Sequence, residues 1–252
     1  MAKAICLRQH RGQYVHKVIV GIIPPLITAG VMKVRYRLLR HHLLSSALPV
    51  SREYSTVDNP IEVPCQVECY LLCREKYLKP TDTVLDVGFG LGYGLQIMAA
   101  KVEKLLGVEV DVRAVDRARR IFAGHPRVAS ILIYDGVRLP LQDKSVDVIT
   151  CVEILEHVEA YKNLLLEMAR VARRAVFIST PNQRPENTLP SGRPKNYWHL
   201  REWTKAELEA ILIELGLKSE WNFLNGPFQG PFNWTKYMTE STFSLVPVVL
   251  PE

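Results

Sequence analysis

The sequence predicts an α/β fold built on a doubly wound, mostly parallel sheet, and three observations lead to that prediction. Strand-like and helix-like segments alternate from residue 83 to residue 215, which is the order of parallel βαβ units. The strand-like segments are continuous runs of β-branched and other apolar residues, as expected when both faces of a sheet are covered. The 252 residues are 48% hydrophobic and 23% charged, which excludes a mainly disordered or collagen-like chain.

The predicted elements follow one another without an internal repeat. The first helix, residues 61–78, ends at Lys79-Pro80, because proline cannot continue a helix. Strands are then predicted at 83–87, 105–110, 129–134, 146–152 and 175–179, and helices at 91–102, 112–122, 160–171 and 205–215. The last helix begins with a capping box, Thr204-Lys-Ala-Glu207. The tail that follows is rich in glycine, proline and aromatic residues, and we expect either a hairpin or a lid there.

Positive charge is concentrated at the N-terminus. The chain has 32 Lys and Arg, 26 Asp and Glu, and a formal net charge of +6. Nine of the basic residues and none of the acidic ones lie in residues 1–52, which leaves 23 bases against 26 acids in the rest. We therefore divide the chain into a basic N-terminal arm, residues 1–59, and a mildly acidic domain, residues 60–252. The acidic balance of the domain argues against a nucleic-acid groove.

The arm contains one apolar run, residues 18–32. Fifteen helical residues span about 22 Å, which is short of a hydrocarbon core of about 30 Å, and Pro24-Pro25 interrupt the run. Three interpretations stay open: a helical hairpin that packs on the domain and covers a site, an interfacial membrane anchor, and an organellar targeting segment. Five cysteines without the dense spacing of a secreted scaffold indicate a reducing compartment, so we expect a cytoplasmic protein with peripheral membrane contact or organellar targeting as further possibilities.

A glycine-rich turn lies between the first predicted strand and the next helix. The segment Thr83–Gly94 has an acid, Asp86, followed by Gly88, Gly90 and Gly92. Glycines in such a turn adopt positive φ and let the backbone approach a ligand closely. The spacing does not match G-x-G-x-x-G, because the position five residues after Gly88 is tyrosine and the one five after Gly90 is leucine. The pattern is D-x-G-x-G-x-G.

That motif and its successors resemble the class I S-adenosylmethionine (SAM)-dependent methyltransferases. The stretches Gly107–Asp111, Tyr134–Gly136, Leu139–Val148 and Ser179–Asn182 resemble the ends of the family's second to fifth strands, in order. The resemblance runs over residues 83–217 and is strongest to the type 11 group, which includes ubiquinone-biosynthesis O-methyltransferases. It implies a Rossmann-like sheet of seven strands whose last pair adds an antiparallel edge. Arg173-Arg174 stands where many members have a Gly-Gly turn, so the loop before the fifth strand is uncertain.

The resemblance also implies the cofactor site. The glycine turn would face the amino-acid end of SAM, Glu109 would accept hydrogen bonds from the ribose hydroxyls, and Asp135 would contact the adenine amino group. A solvated helix start at Glu109 and an Asx turn at Asp135 are the structural alternatives. The full set of expected cofactor contacts is Asp86, Gly88, Phe89, Gly90, Gly92, Glu109, Val110, Asp135, Gly136 and Val152.

Two segments carry candidate catalytic and metal-binding side chains. The segment E-x-x-E-H places Glu153, Glu156 and His157 after the fourth predicted strand, and His199 lies in a later H-x-x-E-W-T segment. Both segments resemble small-RNA 2′-O-methyltransferases, in which two Glu and two His hold a divalent metal. Glu153, Glu156, His157 and His199 are therefore candidate ligands for Mg²⁺, Mn²⁺ or Zn²⁺. The alternative is a metal-free site in which His157, with Glu153, is catalytic.

The expected function is transfer of a methyl group from SAM to a hydroxyl, or another nucleophile, of a small-molecule acceptor. The alternatives are a metal-dependent RNA 2′-O-methyltransferase and a non-catalytic SAM-binding module. Nothing in the sequence names the acceptor or the oligomeric state. Cys65, Cys69 and Cys73 share one face of the first helix, but their spacing is not C-x2-C, so we expect them to be buried core residues.

Overall fold

The computed structural model describes residues 62–226 and 233–251. The basic arm predicted for residues 1–59 therefore lies outside the described residues, and so does part of the predicted hairpin or lid in the tail. No helix in the described ranges is long and apolar enough to cross a membrane.

One sheet organises the described part of the chain. Its strands are β1 (Thr83–Val87), β2 (Lys104–Glu109), β3 (Val128–Ile133), β4 (Val146–Val152), β5 (Ala172–Pro181), β6 (Lys218–Asn225), β7 (Asn233–Thr235) and β8 (Thr242–Leu250). They lie in the order β3-β2-β1-β4-β5-β8-β6-β7. The first five are parallel, β8 is antiparallel to β5, and β6 is antiparallel to β8. The order reverses between β1 and β4, where open α/β sheets bind ligands at the carboxyl ends of their strands.

The predicted fold class is confirmed, with one correction to the strand count. We expected seven strands, whereas the described residues form eight. The additional strand, β7, is only three residues long and pairs antiparallel with β6. A hydrogen bond from Asn225 Nδ2 to Thr235 Oγ1 (2.8 Å) joins these two strands beside the backbone ladder. Side-chain periodicity cannot identify so short a strand, which explains the difference.

Within residues 62–226 and 233–251, five α-helices cover the two faces of the sheet. They are α1 (Glu62–Lys76), α2 (Tyr93–Ala99), α3 (Val112–Ile121), α4 (Tyr161–Val171) and α5 (Lys205–Glu214). Buried side chains of α1, α2 and α3 join one apolar cluster, and those of α4 and α5 join another. Successive strand residues point to opposite faces, so Val84 belongs to the first cluster and Leu85 to the second. The sheet is thus buried on both sides, as its continuous apolar strands predict.

Arg173 and Arg174 belong to a strand and not to a loop before the fifth strand. β5 begins at Ala172, directly after α4. The ladder between β4 and β5 has an irregularity here, because Val146 pairs with Ala172 while Val148 pairs with Ala175. The extra residue is accommodated as in a β-bulge, and no glycine turn is needed.

Candidate active site

The glycine turn joins β1 to α2 with three backbone conformations that favour glycine. Gly88, Gly90 and Gly92 have φ values of 72°, 50° and 81°. A Cβ atom added to Gly88 would lie 2.4 Å from Cδ1 of Ile154, which follows β4. The turn therefore passes closely beside the end of β4, and at Gly88 both the positive φ and the lack of space require glycine.

Asp86 lies beneath this turn and is fully buried. Thr150 Oγ1 donates a hydrogen bond to its Oδ1 (2.7 Å), and the Tyr70 hydroxyl lies within hydrogen-bond distance of both of its carboxylate oxygens (3.0 and 3.2 Å). Burial raises the pKa of Asp86 to about 7, although both hydroxyl bonds oppose that rise. The carboxyl group thus fastens β1 to α1 and β4 directly under the candidate cofactor turn.

Glu109 ends β2 beside the same turn and is 2% exposed. The backbone N–H of Gly90 donates to its Oε2 (2.9 Å), and those of Val110 and Asp111 donate to its Oε1 (2.7 and 3.2 Å). Burial raises the pKa of Glu109, and the three backbone bonds work against that rise. Each carboxylate oxygen has two lone pairs, so Glu109 retains capacity for further donors such as hydroxyl groups.

Asp135 and Gly136 follow β3 and lie next to the end of β2. Asp135 is exposed, and its Oδ1 accepts hydrogen bonds from the backbone N–H groups of Arg138 and Val137, both at 2.8 Å. These bonds hold the pKa of Asp135 below its usual value. Gly136 has φ 82°, and a Cβ added to it would lie 3.5 Å from Cγ1 of Val110. The ends of β2 and β3 therefore adjoin, and Asp135 has the geometry of an Asx turn.

Two further predicted cofactor contacts are largely enclosed by protein. Phe89 is 3% exposed and lies over β2, since a Cβ added to Gly107 would be 2.7 Å from Cδ1 of Phe89. Val152, the last residue of β4, is also buried. The carboxyl ends of β1, β2 and β4 thus bring the predicted cofactor residues to one edge of the sheet.

Glu156, His157 and His199 meet at this edge, beyond the end of β4. Glu156 and His157 belong to a short 3-10 helix, Leu155–His157. The loop that carries His199 is attached by a hydrogen bond from Leu200 N to the carbonyl oxygen of Glu156 (2.9 Å). The two imidazole rings are 4.9 Å apart and nearly perpendicular. Each of the three side chains offers a ligand atom within 4.8 Å of the others.

The hydrogen bonds of the two histidines fix their tautomers when they are neutral. His157 Nδ1 lies 3.0 Å from the carbonyl oxygen of Trp198, which only accepts, so Nδ1 carries the proton and Nε2 has the lone pair. His199 Nδ1 donates to Glu202 Oε1 (2.7 Å). The Trp198 N–H donates to Asn196 Oδ1 (3.1 Å), which fixes the orientation of the Asn196 amide. Asn196 Nδ2 therefore faces His199 Nε2 at 2.8 Å, and His199 Nε2 accepts a hydrogen bond from it.

The surroundings of Glu156 are short of hydrogen-bond donors. Thr180 Oγ1 donates to its Oε2 (3.1 Å), whereas its buried Oε1 accepts no hydrogen bond and lies 3.9 Å from His157 Nε2. Burial raises the pKa of Glu156, and the charge of His199 opposes this. Burial acts to lower the pKa of His199, but the bond to Glu202 and the charges of nearby glutamates outweigh it, so the pKa of His199 is raised.

Glu153 is not grouped with the ligand atoms of that trio, although its charge contributes to the raised pKa of His199. Its Oε1 accepts a hydrogen bond from Ser179 Oγ (2.7 Å), and its ligand atom clusters with those of Cys65 and Cys69. Of the four predicted metal ligands, three are therefore brought together and the fourth belongs to a separate cluster.

Sequence reasoning missed several residues that hold the site in place. Tyr70 and Thr150 support Asp86 from elements that are distant in the chain, and no local pattern could have identified them. Asn196 and Glu202 orient His199 from positions three residues before and after it. Only Glu202 left a signal, since it is the acid of the H-x-x-E-W-T segment.

Residues 85–178 match the family described as "Methyltransferase domain". The chain is 34% identical over 152 residues, 59% of its length, to a probable S-adenosylmethionine-dependent methyltransferase of Mycobacterium tuberculosis. The match covers 52% of that protein, so the chain spans about half the length of this curated relative.

Solved structures show the same fold. A SAM-dependent methyltransferase from Aquifex aeolicus superposes with a TM-score of 0.55 at 20% identity, covering 73% of this chain and 90% of that one. Magnesium protoporphyrin IX methyltransferase from Synechocystis, solved with bound S-adenosylhomocysteine, gives a TM-score of 0.58 at 14% identity, covering 78% of this chain and 87% of that one.

Proposed function

We propose that this chain, which carries a methyltransferase domain of the class I, SAM-dependent type, transfers the methyl group of SAM to a hydroxyl of a small-molecule acceptor. The observation that carries the proposal is a continuous edge of the sheet with two parts. One part is the glycine turn with Glu109, and the other is His157 with its buried neighbour Glu156. The first part suits a nucleoside cofactor, and the second suits proton transfer.

The residues at the glycine turn fit the cofactor. The positive φ of Gly88 lets the turn pass close beside Ile154, and Glu109 lies next to this turn with carboxylate lone pairs to spare for further donors. Glu109 would hold the ribose, Asp135 the adenine, and Gly88, Gly90 and Gly92 the amino-acid end. When bound, SAM supplies an electrophilic methyl group on a sulfonium centre.

His157 is the candidate general base. Its Nδ1 proton is committed to the Trp198 carbonyl oxygen, so in the neutral ring Nε2 carries the lone pair and would take the proton of an acceptor hydroxyl. Glu156 lies 3.9 Å from that nitrogen and would stabilise the imidazolium that forms. The Trp198 carbonyl thus orients the imidazole ring of His157 from one side, and the Glu156 carboxylate compensates the charge of the imidazolium from the other. In a Ser-His-Asp triad the aspartate does both for its histidine. Glu153 is bonded to Ser179, so we assign proton transfer to His157 and not to Glu153.

The loop that adjoins His157 favours an apolar or aromatic acceptor. Tyr197 is 83% exposed, and its neighbours Trp198 and Leu200 are also exposed. Exposed aromatic side chains beside a reactive group are typical of surfaces that bind organic ligands. The same loop orients the base through the Trp198 carbonyl, so acceptor contact and base positioning would be coupled.

Substitution of His157 tests the assignment of the base. We expect His157→Ala to lower kcat by about 100-fold to 10,000-fold, because a general base contributes rate in that range, while the Kd for SAM stays the same. His125→Ala, on the turn after α3, is the matched control and should leave both values unchanged. Loss of SAM affinity in His157→Ala without a specific loss of kcat would contradict the role.

The acceptor itself can be found by supplying labelled SAM to fractionated metabolite extracts and following the label. Label transferred to a small molecule, lost in His157→Ala, supports the proposal. SAM binding without label transfer to any fraction would favour a non-catalytic SAM-binding module instead.

A metal-dependent variant of the function rests on one observation, the approach of Glu156, His157 and His199 to within 4.8 Å. These three would hold a divalent cation, which lowers the pKa of a bound hydroxyl. His199 Nε2 already accepts from Asn196, so this nitrogen would have to exchange partners. A chelator tests this variant: activity lost with chelator and restored by Mg²⁺ or Mn²⁺, which thiolates do not select, indicates a metal at these three residues, and unchanged activity supports the metal-free base. Salt-dependent transfer to RNA would support an RNA 2′-O-methyltransferase.

A further inference from the structure

A second cluster of ligand-type side chains lies between α1 and the sheet. Cys65 and Cys69 are one helical turn apart on α1, and Glu153 is the first residue after β4. One ligand atom from each lies within 4.8 Å of the other two. Both thiols are buried, at 1% and 0% exposure, and Glu153 is partly buried. The cluster is separate from the Glu156, His157 and His199 trio.

Both thiols lie in the apolar cluster that α1 joins, yet polar groups also reach this part of the cluster. Cys65 Sγ lies 3.1 Å from Ser244 Oγ on β8. Glu153 is bonded twice to Ser179 on β5, through its side chain (2.7 Å) and through its backbone N–H to the Ser179 carbonyl (3.0 Å). The Ser244 hydroxyl thus contacts one sulfur atom, and the Glu153 carboxylate, held by Ser179, lies within 4.8 Å of both.

The backbone of Glu153 is held in a costly conformation that aims this carboxylate at the thiols. Its φ is 54°, and it is one of only two described non-glycine residues with positive φ. A glutamate in the left-handed region is strained, and such strain is concentrated at functional sites. The strain is maintained here by the two bonds to Ser179, so the position of the carboxylate is imposed by the surrounding structure.

Two cysteine sulfurs with one carboxylate oxygen form a donor set that suits zinc. Thiolates select soft and borderline cations, and Zn²⁺ accepts carboxylate oxygen as well. In a tetrahedral site with Zn–S bonds of about 2.3 Å, two sulfurs are about 3.8 Å apart. Atoms within 4.8 Å of one another reach that arrangement by small side-chain rotations. Three protein ligands leave a fourth position for another donor.

We propose that Cys65, Cys69 and Glu153 bind a Zn²⁺-type cation that ties α1 to the carboxyl end of β4. The proposal does not depend on the nature of the methyl acceptor. The third ligand, Glu153, is 84 residues after Cys69 in the chain, so the spacing of the cysteines alone does not reveal the site.

Co²⁺ is the probe for this site, because Co²⁺ bound to thiolates gives an intense charge-transfer absorption. The full-length chain, stripped of metal and kept reduced, is titrated with Co²⁺ and then with competing Zn²⁺. We expect a saturable thiolate band that Zn²⁺ abolishes. Cys65→Ser and Cys69→Ser should lose the band, and Glu153→Gln should weaken Co²⁺ binding by at least about 10-fold to 100-fold.

Matched controls separate this site from its neighbours. Cys73→Ser changes a buried cysteine one turn further along the same helical face, and it should keep the band. His199→Ala should keep it too, whereas loss of binding in that variant would place the cation at the trio and overturn the proposal. Absence of a thiolate band in the wild-type protein, or its persistence in Cys69→Ser, also overturns it.

A second measurement needs no variant, in case the serine substitutions fail to fold. Zn²⁺ should protect Cys65 and Cys69 from alkylation in the wild-type protein after mild denaturant is added, as read by mass spectrometry, while Cys73 is not protected. Zn²⁺ should also raise Tm, and chelator should reverse the rise, because a cation that binds only the folded state stabilises it. Equal alkylation of all three cysteines with and without Zn²⁺ would contradict the proposal.

Discussion

At the scale of single residues, Gly88 makes the sharpest prediction about the cofactor turn. Alanine there meets both a φ of 72° and the Ile154 side chain 2.4 Å away. We expect Gly88→Ala to lower the free energy of unfolding by about 2–5 kcal/mol and to abolish SAM binding. Gly124→Ala is the matched control, since Gly124 has φ 70° and no neighbour within 4 Å of the added Cβ. It should cost only about 1–2 kcal/mol and keep SAM affinity. Calorimetry and denaturant unfolding measure both effects, and equal SAM affinity in both variants would contradict the account.

Asp86 predicts a dependence of stability on pH. Burial raises its pKa from 3.8 in the unfolded chain to about 7 in the folded one. Between these values the folded state holds a proton that the unfolded state has lost, so stability from this group falls as pH rises from about 4 to about 7. Asp86→Asn removes that contribution. We expect the variant to lose less stability than the wild type between pH about 5 and pH about 7.

The measurement is denaturant unfolding of both proteins at the two pH values. Some pH dependence remains in the variant, because burial raises the pKa of Glu156 in the same direction. An Asp86→Asn protein whose stability changes with pH as much as that of the wild type would show that Asp86 stays ionised in the fold.

How far the site could be read from the sequence differs from residue to residue. The glycine turn was predictable because Asp86, Gly88, Gly90 and Gly92 are close in the chain and form a recognisable local motif, D-x-G-x-G-x-G. The partners Tyr70 and Thr150 were not, because tertiary packing alone brings them to Asp86. The same reason hid the contact of Glu153 with Cys65 and Cys69. The roles assigned to Glu109, Asp135 and His157 stay predictions.

At the scale of elements, the junction between α1, β1 and β5 depends on Arg174. Its guanidinium donates to the carbonyl oxygen of Tyr77 (2.8 Å) and to the buried carboxylate of Asp82. We expect Arg174→Ala to destabilise the fold by about 1–3 kcal/mol, because the buried carboxylate loses its charged partner. Arg173→Ala, which removes a more exposed pair with Asp147, should cost at most about 1 kcal/mol. Thermal unfolding distinguishes them, and equal costs would refute this reading of the junction.

The bounds of an element were predictable where a continuous hydrophobic run had the length of a strand and ended at turn residues. β1 and β4 have the predicted bounds, Thr83–Val87 and Val146–Val152, because each is a continuous buried run bounded by turn residues. β5 is longer than expected, since Arg173 and Arg174 are polar yet form strand through ion pairs with Asp147 and Asp82. α2 is shorter than the predicted 91–102, because Leu91 and Gly92 belong to the glycine turn and the helix already ends at Ala99.

At the scale of the whole molecule, the division of charge predicts where the protein docks. We propose that the basic arm, residues 1–59, contacts anionic membrane surfaces, since it combines nine Lys and Arg in its first 52 residues with an apolar run. A chain that begins at residue 60 should lose affinity for phosphatidylserine vesicles and keep its affinity for SAM. Co-sedimentation with anionic and neutral vesicles measures the first property. Weaker SAM binding by the shortened chain would instead support an arm that covers the site.

We propose that the edge formed by the glycine turn and Glu109 binds SAM through its ribose. The most direct measurement is calorimetry with S-adenosylhomocysteine and its 2′-deoxy analogue, on the wild type and on Glu109→Gln. In the wild type we expect the analogue to bind at least about tenfold more weakly, which is about 1.4 kcal/mol. In Glu109→Gln that difference in affinity should largely vanish. The two proteins and the two ligands form a double-mutant cycle, which isolates the contact between the carboxylate and the ribose hydroxyl. No binding of either ligand to the wild type, or the same tenfold difference in both proteins, would contradict the claim.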